Sequence, residues 1–269
     1  MLESTFAEIE GYKVHLWEGG SGFPVLMLHG VGPGTSIVGN YGPVLEPLAE
    51  RCRVVAVDLI GFGESERKAA PPYFDVDLWV RQGLALLDRL GDGPCGIAGH
   101  SLGGALALKI ASRAPRIAKV LTSSSIGAAY PLNEALDGFW ALPGDQAELR
   151  RAMERMVHEA DAVTDEMIEG RWQLLESEGY AEYFGAMFAP PRQHYIDAGI
   201  VSADELKAIT ADVVMLHGRD DQPCPAAETT LVVAESLPHA DVRLYGNCGH
   251  NLPRERTKDY LAAATELFA

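Results

Sequence analysis

The chain has 269 residues, 38 of them acidic and 22 basic, for a formal net charge of −16 with histidine neutral. Such a balance offers no broad basic face for a phosphate backbone or an anionic bilayer, so neither nucleic acid nor a membrane surface is an expected partner. At 47% hydrophobic and 22% charged residues, the composition fits one large core, or one core carrying a smaller insertion, and is too apolar for general disorder. No run reaches the roughly 18 apolar residues of a spanning helix. Met1 to Gly11 holds three glutamates and no lysine, unlike the basic start and apolar run of a secretory signal, so the expected location is cytoplasmic. Cys52, Cys95, Cys224 and Cys248 are widely spaced, form no CxxC pair and read as reduced, buried small residues.

Taken in chain order, a short hairpin around Glu10 to Lys13 precedes the apolar run Val25 to Leu28, which ends abruptly in His29-Gly30-Val31-Gly32-Pro33-Gly34. A brief apolar run bounded by turn residues predicts a buried strand feeding a loop. The pattern recurs: a helix over Asn40 to Glu50, a strand over Arg53 to Val57, and a glycine-bearing loop from Asp58 to Ser65. A helix over about Asp75 to Leu90 leads to a strand at Cys95 to Ala98, a turn at Gly99 to Gly103, a helix at Ala105 to Ser112 and a strand at Lys119 to Thr122. Strands alternating with helices predict an α/β fold with a mostly parallel sheet covered on both faces. The alternation then stops. Residues 129–208 carry helical patterns, such as Gln146 to Asp161 and Glu166 to Glu176, and no buried strand. It resumes at Val213 to Leu216 and Asp241 to Tyr245, followed by a helix over about Arg254 to Phe268. The expected organisation is a core of residues 1–128 and 209–269, interrupted after the sixth strand by a helical cap of residues 129–208.

Gly99-His100-Ser101-Leu102-Gly103 is a G-x-S-x-G sequence with an apolar strand before it and a helix after it. A sharp strand-to-helix turn has little room for flanking side chains and lifts the serine oxygen above the sheet edge, which makes Ser101 the candidate nucleophile. A serine nucleophile needs a base, and the base an orienting acceptor. Val213 to Leu216 delivers His217-Gly218-Arg219-Asp220-Asp221, and Asp241 to Tyr245 delivers Gly246-Asn247-Cys248-Gly249-His250, the chain order serine, acid, histidine. His250 is the candidate base. Asp221 and Asp220 compete for the acid, since adjacent side chains point apart and only one can reach the imidazole. The oxyanion donors should be the backbone N–H groups of Leu102 and, from the first loop, Val31. No lysine follows the glycines of that loop, which excludes a GxxxxGK phosphate cradle, and the histidines lack metal-site spacing. Neither a metal nor an organic cofactor is expected.

With these residues in place the chain resembles the α/β-hydrolase superfamily over nearly its whole length. Within it, the chain is most similar to the meta-cleavage product hydrolases, which hydrolyse a C–C bond in vinylogous 1,5-diketo acids formed by ring opening of catechols. The resemblance rests on His29 to Gly34 with Asn40, Asp58 to Ser65, Gly99 to Gly103, Gly170-Arg171-Trp172 and Phe188 to Asp197. Gly218 to Pro225 and Cys248-Gly249-His250 with Glu255 complete it. It places the acid on Asp221. It also implies that Arg171 binds a substrate carboxylate from the cap and that Asn40 holds a dienolate oxygen or that carboxylate. Gly30, Gly32, His100, Trp172, Phe184, Phe188 and Asn251 are the other expected substrate contacts. Independently, the planar fork of Arg171 suits a carboxylate. The competing reading makes Arg171 a surface residue paired with Glu169 or Glu176, and Asn40 a helix N-cap.

Two positions depart from the family pattern. Its C–C hydrolases usually carry asparagine before the nucleophile and tryptophan after the catalytic histidine, whereas this chain has His100 and Asn251. Histidine at the former position is usual in esterases and lactonases. The expected activity is therefore C–C hydrolysis of a carboxylate-bearing 2-hydroxy-6-oxo-dienoate, with carboxylesterase, lactonase or amidase activity as the alternative. A small-ligand receptor with slow turnover is the third reading. A homodimer or higher homo-oligomer is left open.

Overall fold

In a computed structural model describing every residue from Met1 to Ala269, the chain opens with a hairpin of β1 (Leu2–Ile9) and β2 (Tyr12–Gly19). Its turn places Glu10 and Gly11 at φ 54° and 79°, the left-handed pair whose twist matches that of the flanking strands. Strands β3 (Pro24–Leu28), β4 (Arg53–Val57), β5 (Cys95–His100), β6 (Ile117–Ser123), β7 (Asp212–Gly218) and β8 (Asp241–Tyr245) complete an eight-stranded sheet in the order β1-β2-β4-β3-β5-β6-β7-β8. β2 runs antiparallel to β1 and β4, and every pairing from β4 to β8 is parallel. Central strands are buried along almost their whole length, β5 at all six positions, because helices cover both faces. That coverage is why they read in sequence as unbroken apolar runs.

Helices α1 (Ile37–Ala49), α2 (Val76–Leu86) and α3 (Leu102–Ala111) join the first strands. Between β6 and β7 the chain leaves the sheet for six helices: α4 (Glu134–Trp140), α5 (Gln146–Glu154), α6 (Asp165–Glu176), α7 (Tyr180–Met187), α8 (Gln193–Gly199) and α9 (Ala203–Ala208). The expected helical insertion after the sixth strand is present. α10 (Thr230–Glu235), α11 (Leu252–Glu255) and α12 (Thr257–Phe268) finish the core. No helix is long and apolar enough to cross a membrane. All four cysteines are buried and free.

Several boundaries differ from the sequence reading. α1 starts at Ile37, not Asn40, because the Ser36 side chain accepts from the Gly39 amide and caps the helix there. The helix ending near Leu90 gives way at Leu87 to a 3-10 turn, and the cap helix begun at Gln146 stops at Glu154. The C-terminal helix is two pieces, broken at Arg256.

This topology chooses the position of the site. After β3 the chain crosses to one side to make β4, then returns to the other side to make β5. Loops leaving the carboxyl ends of β3 and β5 therefore diverge, opening the crevice where ligands bind in parallel sheets.

Candidate active site

Ser101 sits in that crevice between β5 and α3, with φ 55° and ψ −123°. A non-glycine residue held there costs about 1–3 kcal/mol, and the surrounding backbone enforces it. A Cβ on Gly99 would lie 2.1 Å from the Gly103 carbonyl oxygen, and one on Gly103 would lie 2.5 Å from that of His29. The two glycines thus let the elbow pack against itself and against the first loop. The Ser101 amide donates to the Ser123 carbonyl at 2.9 Å, which pins the turn to β6.

The loop after β7 carries Asp221, and the loop after β8 carries His250. His250 Nδ1 lies 2.8 Å from Asp221 Oδ2, with both side chains buried. Asp221 Oδ1 accepts from the Cys224 amide at 2.8 Å. Asp220 turns away instead, accepting from the Cys248 amide at 3.1 Å and facing His158. Burial opposes ionisation of Asp221, but the charges and hydrogen bonds of His250 and His217 outweigh it and hold the carboxyl well below its ordinary range. Burial likewise opposes a charge on His250, and the Asp221 carboxylate overcomes it, raising the imidazole above its ordinary value. With Nδ1 committed to Asp221, Nε2 remains as the ring nitrogen free for proton transfer in the cavity.

His217 went unnoticed in sequence as anything but a bystander. It is fully buried, its Nε2 lies 3.0 Å from Asp221 Oδ2 and 2.8 Å from the Cys224 carbonyl oxygen, and its Nδ1 is 2.7 Å from Thr230 Oγ1. It meets the same Asp221 oxygen that His250 does. The signal for it was spacing alone, four residues before Asp221. Asp221, Cys224 and His250 also place their ligand atoms within 4.8 Å of one another. Both Asp221 oxygens are already engaged by hydrogen bonds, and we assign this grouping to the acid–base network.

The first loop completes the crevice. Asn40 Oδ1 accepts from the Gly30 amide at 2.8 Å, so Asn40 stiffens the loop from within α1 and is not the N-cap. The Val31 amide makes no hydrogen bond to the protein, and Leu102 opens α3, where first-turn amides have no intrahelical acceptor. Gly30 also matters by its bareness, since a Cβ there would lie 2.8 Å from Ser101 Cβ.

One cavity is lined by Gly30, Val31, Asn40, His100, Ser101, Arg171, His250 and Asn251, together with Thr35, Phe139, Met153 and Met156. Its free space is about 20 Å³, room for about one water. Arg171 reaches it from α6 and is 5% exposed. Its Nη1 donates to Pro33 O and Thr35 Oγ1, both at 2.8 Å, and no carboxylate lies within ion-pair distance. The alternative of a surface pair with Glu169 or Glu176 is therefore overturned. Burial, then the nearby Arg254, lowers its pKa to about 10, which leaves it charged at neutral pH. His100 anchors its Nδ1 on the Ser123 carbonyl at 3.1 Å, and its ring centre is 5.0 Å from that of His250. Burial and the proximity of His250 push its pKa well down, keeping it neutral. The Asn251 side-chain oxygen Oδ1 is buried without a partner.

Four expected contacts fall elsewhere. Trp172 follows Arg171 on α6, about 100° further round the helix, and packs half-buried on the core without lining the cavity. Phe184 and Phe188, 4.9 Å apart, pack with Trp140 and Tyr195 in the aromatic core of the cap, against Phe74 of the sheet domain. Gly32 does not line the cavity but makes room for it, since a Cβ would lie 2.3 Å from the Phe139 ring. Thr35, Phe139, Met153 and Met156 escaped the sequence reading. An amphipathic cap helix shows which residues are apolar but not which of them the chain folds over Ser101.

Cap and catalytic loop are joined directly. The His250 and Asn251 amides both donate to the Met156 carbonyl, at 2.8 and 3.1 Å. Glu255 accepts from the amides of Gly249, on the loop, and His158, on the cap.

Residues 24–256 match the family model described as the alpha/beta hydrolase fold. A 2-hydroxymuconate semialdehyde hydrolase from a Pseudomonas species is 37% identical, over 89% of this chain and 84% of its own length. A 2-hydroxy-6-oxo-2,4-heptadienoate hydrolase from Pseudomonas putida is 31% identical, over 96% of this chain and 94% of its own. Among solved structures, a meta-cleavage product hydrolase from Pseudomonas fluorescens superposes with a TM-score of 0.91 at 28% identity, covering 97% of this chain and 96% of that one. Fold, elbow and sequence agree: the chain belongs to the α/β-hydrolase superfamily and, within it, to the meta-cleavage product hydrolases.

Proposed function

We propose that the protein is a serine hydrolase that cleaves the C5–C6 bond of a short 2-hydroxy-6-oxohexa-2,4-dienoate. The observation that carries this reading is the Arg171 guanidinium, buried in the same cavity as Ser101 with no carboxylate partner of its own. A buried cation without a counter-charge in a protein of net charge −16 is costly, and a substrate carboxylate would relieve that cost through a two-pronged hydrogen bond. Relatives named as hydrolases of such dienoates support the substrate class. The relatives named for a muconate semialdehyde and for a heptadienoate support a small group on C6, hydrogen or methyl.

The residues divide the chemistry. Arg171 and Asn40 hold the carboxylate and the 2-oxygen while the dienol becomes a keto form protonated at C5. His250 takes the Ser101 proton as Oγ adds to C6, and the amides of Val31 and Leu102 receive the developing oxyanion. Collapse breaks C5–C6, the electron pair leaving with the five-carbon fragment as its dienolate, which takes the proton from His250 and returns the imidazole to its neutral form. Water, deprotonated by His250, then frees the C6 acyl group from Ser101 as a carboxylic acid. Asp221 keeps the imidazole oriented and stabilises its charged form.

The test pairs two substrate sets on the purified protein: 2-hydroxymuconate semialdehyde, and a panel of small neutral esters and lactones. The expected result is loss of the dienoate chromophore with stoichiometric formate and a 2-hydroxypentadienoate. Efficient ester or lactone turnover with no C–C products would reject the substrate and favour the esterase alternative.

A further inference from the structure

Arg171 also lines a second chamber, of about 250 Å³, far roomier than the 20 Å³ beside Ser101. Its walls are the first turn of α1 (Ser36, Val38, Gly39), one flank of α6 along most of its length (from Thr164 and Glu166 to Leu174) and Arg254 from α11. The 13-residue α1 thus turns its amino end, the positive end of its dipole, toward this space, and α6 lines it along one flank. Arg254 Nε donates to the Gly39 carbonyl at 2.7 Å. That carbonyl's helical donor would be residue 43, a proline with no N–H, and so the guanidinium is drawn into the wall. Arg254 Nη2 donates to the Val38 carbonyl at 3.0 Å. Neither Arg171 nor Arg254 has an acidic group within 4.0 Å. Glu166 is the single acid lining the chamber, and it is exposed. Burial lowers the pKa of both arginines, and Arg254 further lowers that of Arg171.

We propose that this chamber is an anion-binding antechamber that receives the carboxylate end of the incoming substrate, and that Arg254 determines specificity by passing that carboxylate to Arg171. The inference deepens the carboxylate-substrate reading given above and rests on it. Two guanidinium groups and the amino end of α1 make a local positive field in an acidic protein, and Arg171 lines both this chamber and the cavity of Ser101. Such a field raises the capture rate of an anion and loses its effect as salt screens it.

The experiment compares wild type with Arg254→Gln, Arg254→Lys and Glu166→Gln. Glutamine keeps a donor for the Gly39 carbonyl but removes the charge, and lysine keeps the charge. Hexanoate binding is followed by calorimetry, and kcat/KM is measured for 2-hydroxymuconate semialdehyde and for neutral 4-nitrophenyl acetate at low and high salt. Arg254→Gln is expected to weaken hexanoate binding and lower dienoate kcat/KM about 5- to 10-fold at low salt, flatten the salt dependence and leave the ester rate unchanged. Arg254→Lys should retain most of the wild-type values, and Glu166→Gln should raise dienoate kcat/KM about twofold. Equal losses on ester and dienoate, unchanged hexanoate binding in Arg254→Gln, or no hexanoate binding to wild type would each overturn the antechamber. If wild type fails to cleave the dienoate while hexanoate binding still depends on the charge at position 254, the C–C reading fails and the antechamber stands.

Discussion

Replacing Arg171 by methionine tests the carboxylate contact with the fold as an internal control. The guanidinium stem and methionine are similar in length and both fit an apolar wall such as that of Phe139, whose ring centre lies 6.0 Å from the Arg171 guanidinium carbon. Removing one partner of a buried, hydrogen-bonded charge pair costs about 2–5 kcal/mol, and each 1.4 kcal/mol is a factor of about ten. kcat/KM for a dienoate should therefore fall roughly 30- to 3000-fold. Stability should move little. The variant leaves Pro33 O and Thr35 Oγ1 without their donor, at about 1–3 kcal/mol each, but removes a buried unpaired cation whose desolvation costs several kcal/mol. These effects oppose one another, so the melting temperature should stay within about 5 °C of wild type. The assay is steady-state turnover of 2-hydroxymuconate semialdehyde beside 4-nitrophenyl acetate, with thermal unfolding on the same samples. A loss of similar size on the neutral ester, or a collapse in melting temperature, would show that Arg171 props the cap on the first loop and does not bind substrate.

Ser101→Ala should abolish labelling by a fluorophosphonate probe and reduce turnover by about three to six orders of magnitude, while the dienoate still binds, as seen by a shift of its absorbance. Labelling that persists would remove Ser101 from the nucleophile role. Because Asp221 raises the pKa of His250 and only the neutral imidazole can accept the serine proton, activity should be lost as pH falls, with the midpoint above 6.5, the ordinary histidine value. In Asp221→Asn that midpoint should move down and the maximal rate should fall about 10⁴-fold; an acid limb unmoved by the substitution would refute the pairing. Asn251→Leu removes a buried acceptor without a partner, worth about 1–3 kcal/mol, so the variant should melt a few degrees higher yet show a raised KM for the dienoate. A lower melting temperature with KM unchanged would mean that the Asn251 side chain serves the fold.

Much of the frame could be read from residue order because central strands of a parallel sheet declare themselves. Val25 to Leu28 and Val54 to Val57 are covered on both faces, so each is an unbroken apolar run that ends in a loop. The elbow was equally plain, since Gly99 and Gly103 are dictated by backbone approaches under 3 Å that no other residue tolerates. Cap contacts were not. Phe184 and Phe188 have the character of pocket residues, but a six-helix insertion must first bury a core of its own, and those rings fill it. Phe139 and Met153 reach Ser101 only through the folding back of α4 and α5. Asn40 was misplaced in the helix because Ser36 caps it four residues earlier, and its true task, accepting from Gly30 ten residues back, is a tertiary one.

The shared Met156 carbonyl has a consequence for how the enzyme could open. Backbone amides of two successive residues, His250 and Asn251, depend on one cap oxygen, and a Cβ on Gly249 would lie 2.7 Å from the Val157 carbonyl carbon. The imidazole is thus mounted on the joint between the two halves of the molecule. A cap that swung as a whole about its two connections to the sheet would unseat His250, the proposed proton carrier, with every turnover. By the same token, a core without the α4–α9 insertion would keep Ser101 and Asp221 yet lose the Met156 acceptor that seats His250, so in the proposed mechanism the insertion is a structural part of the acid–base machinery and not merely a cover placed over it.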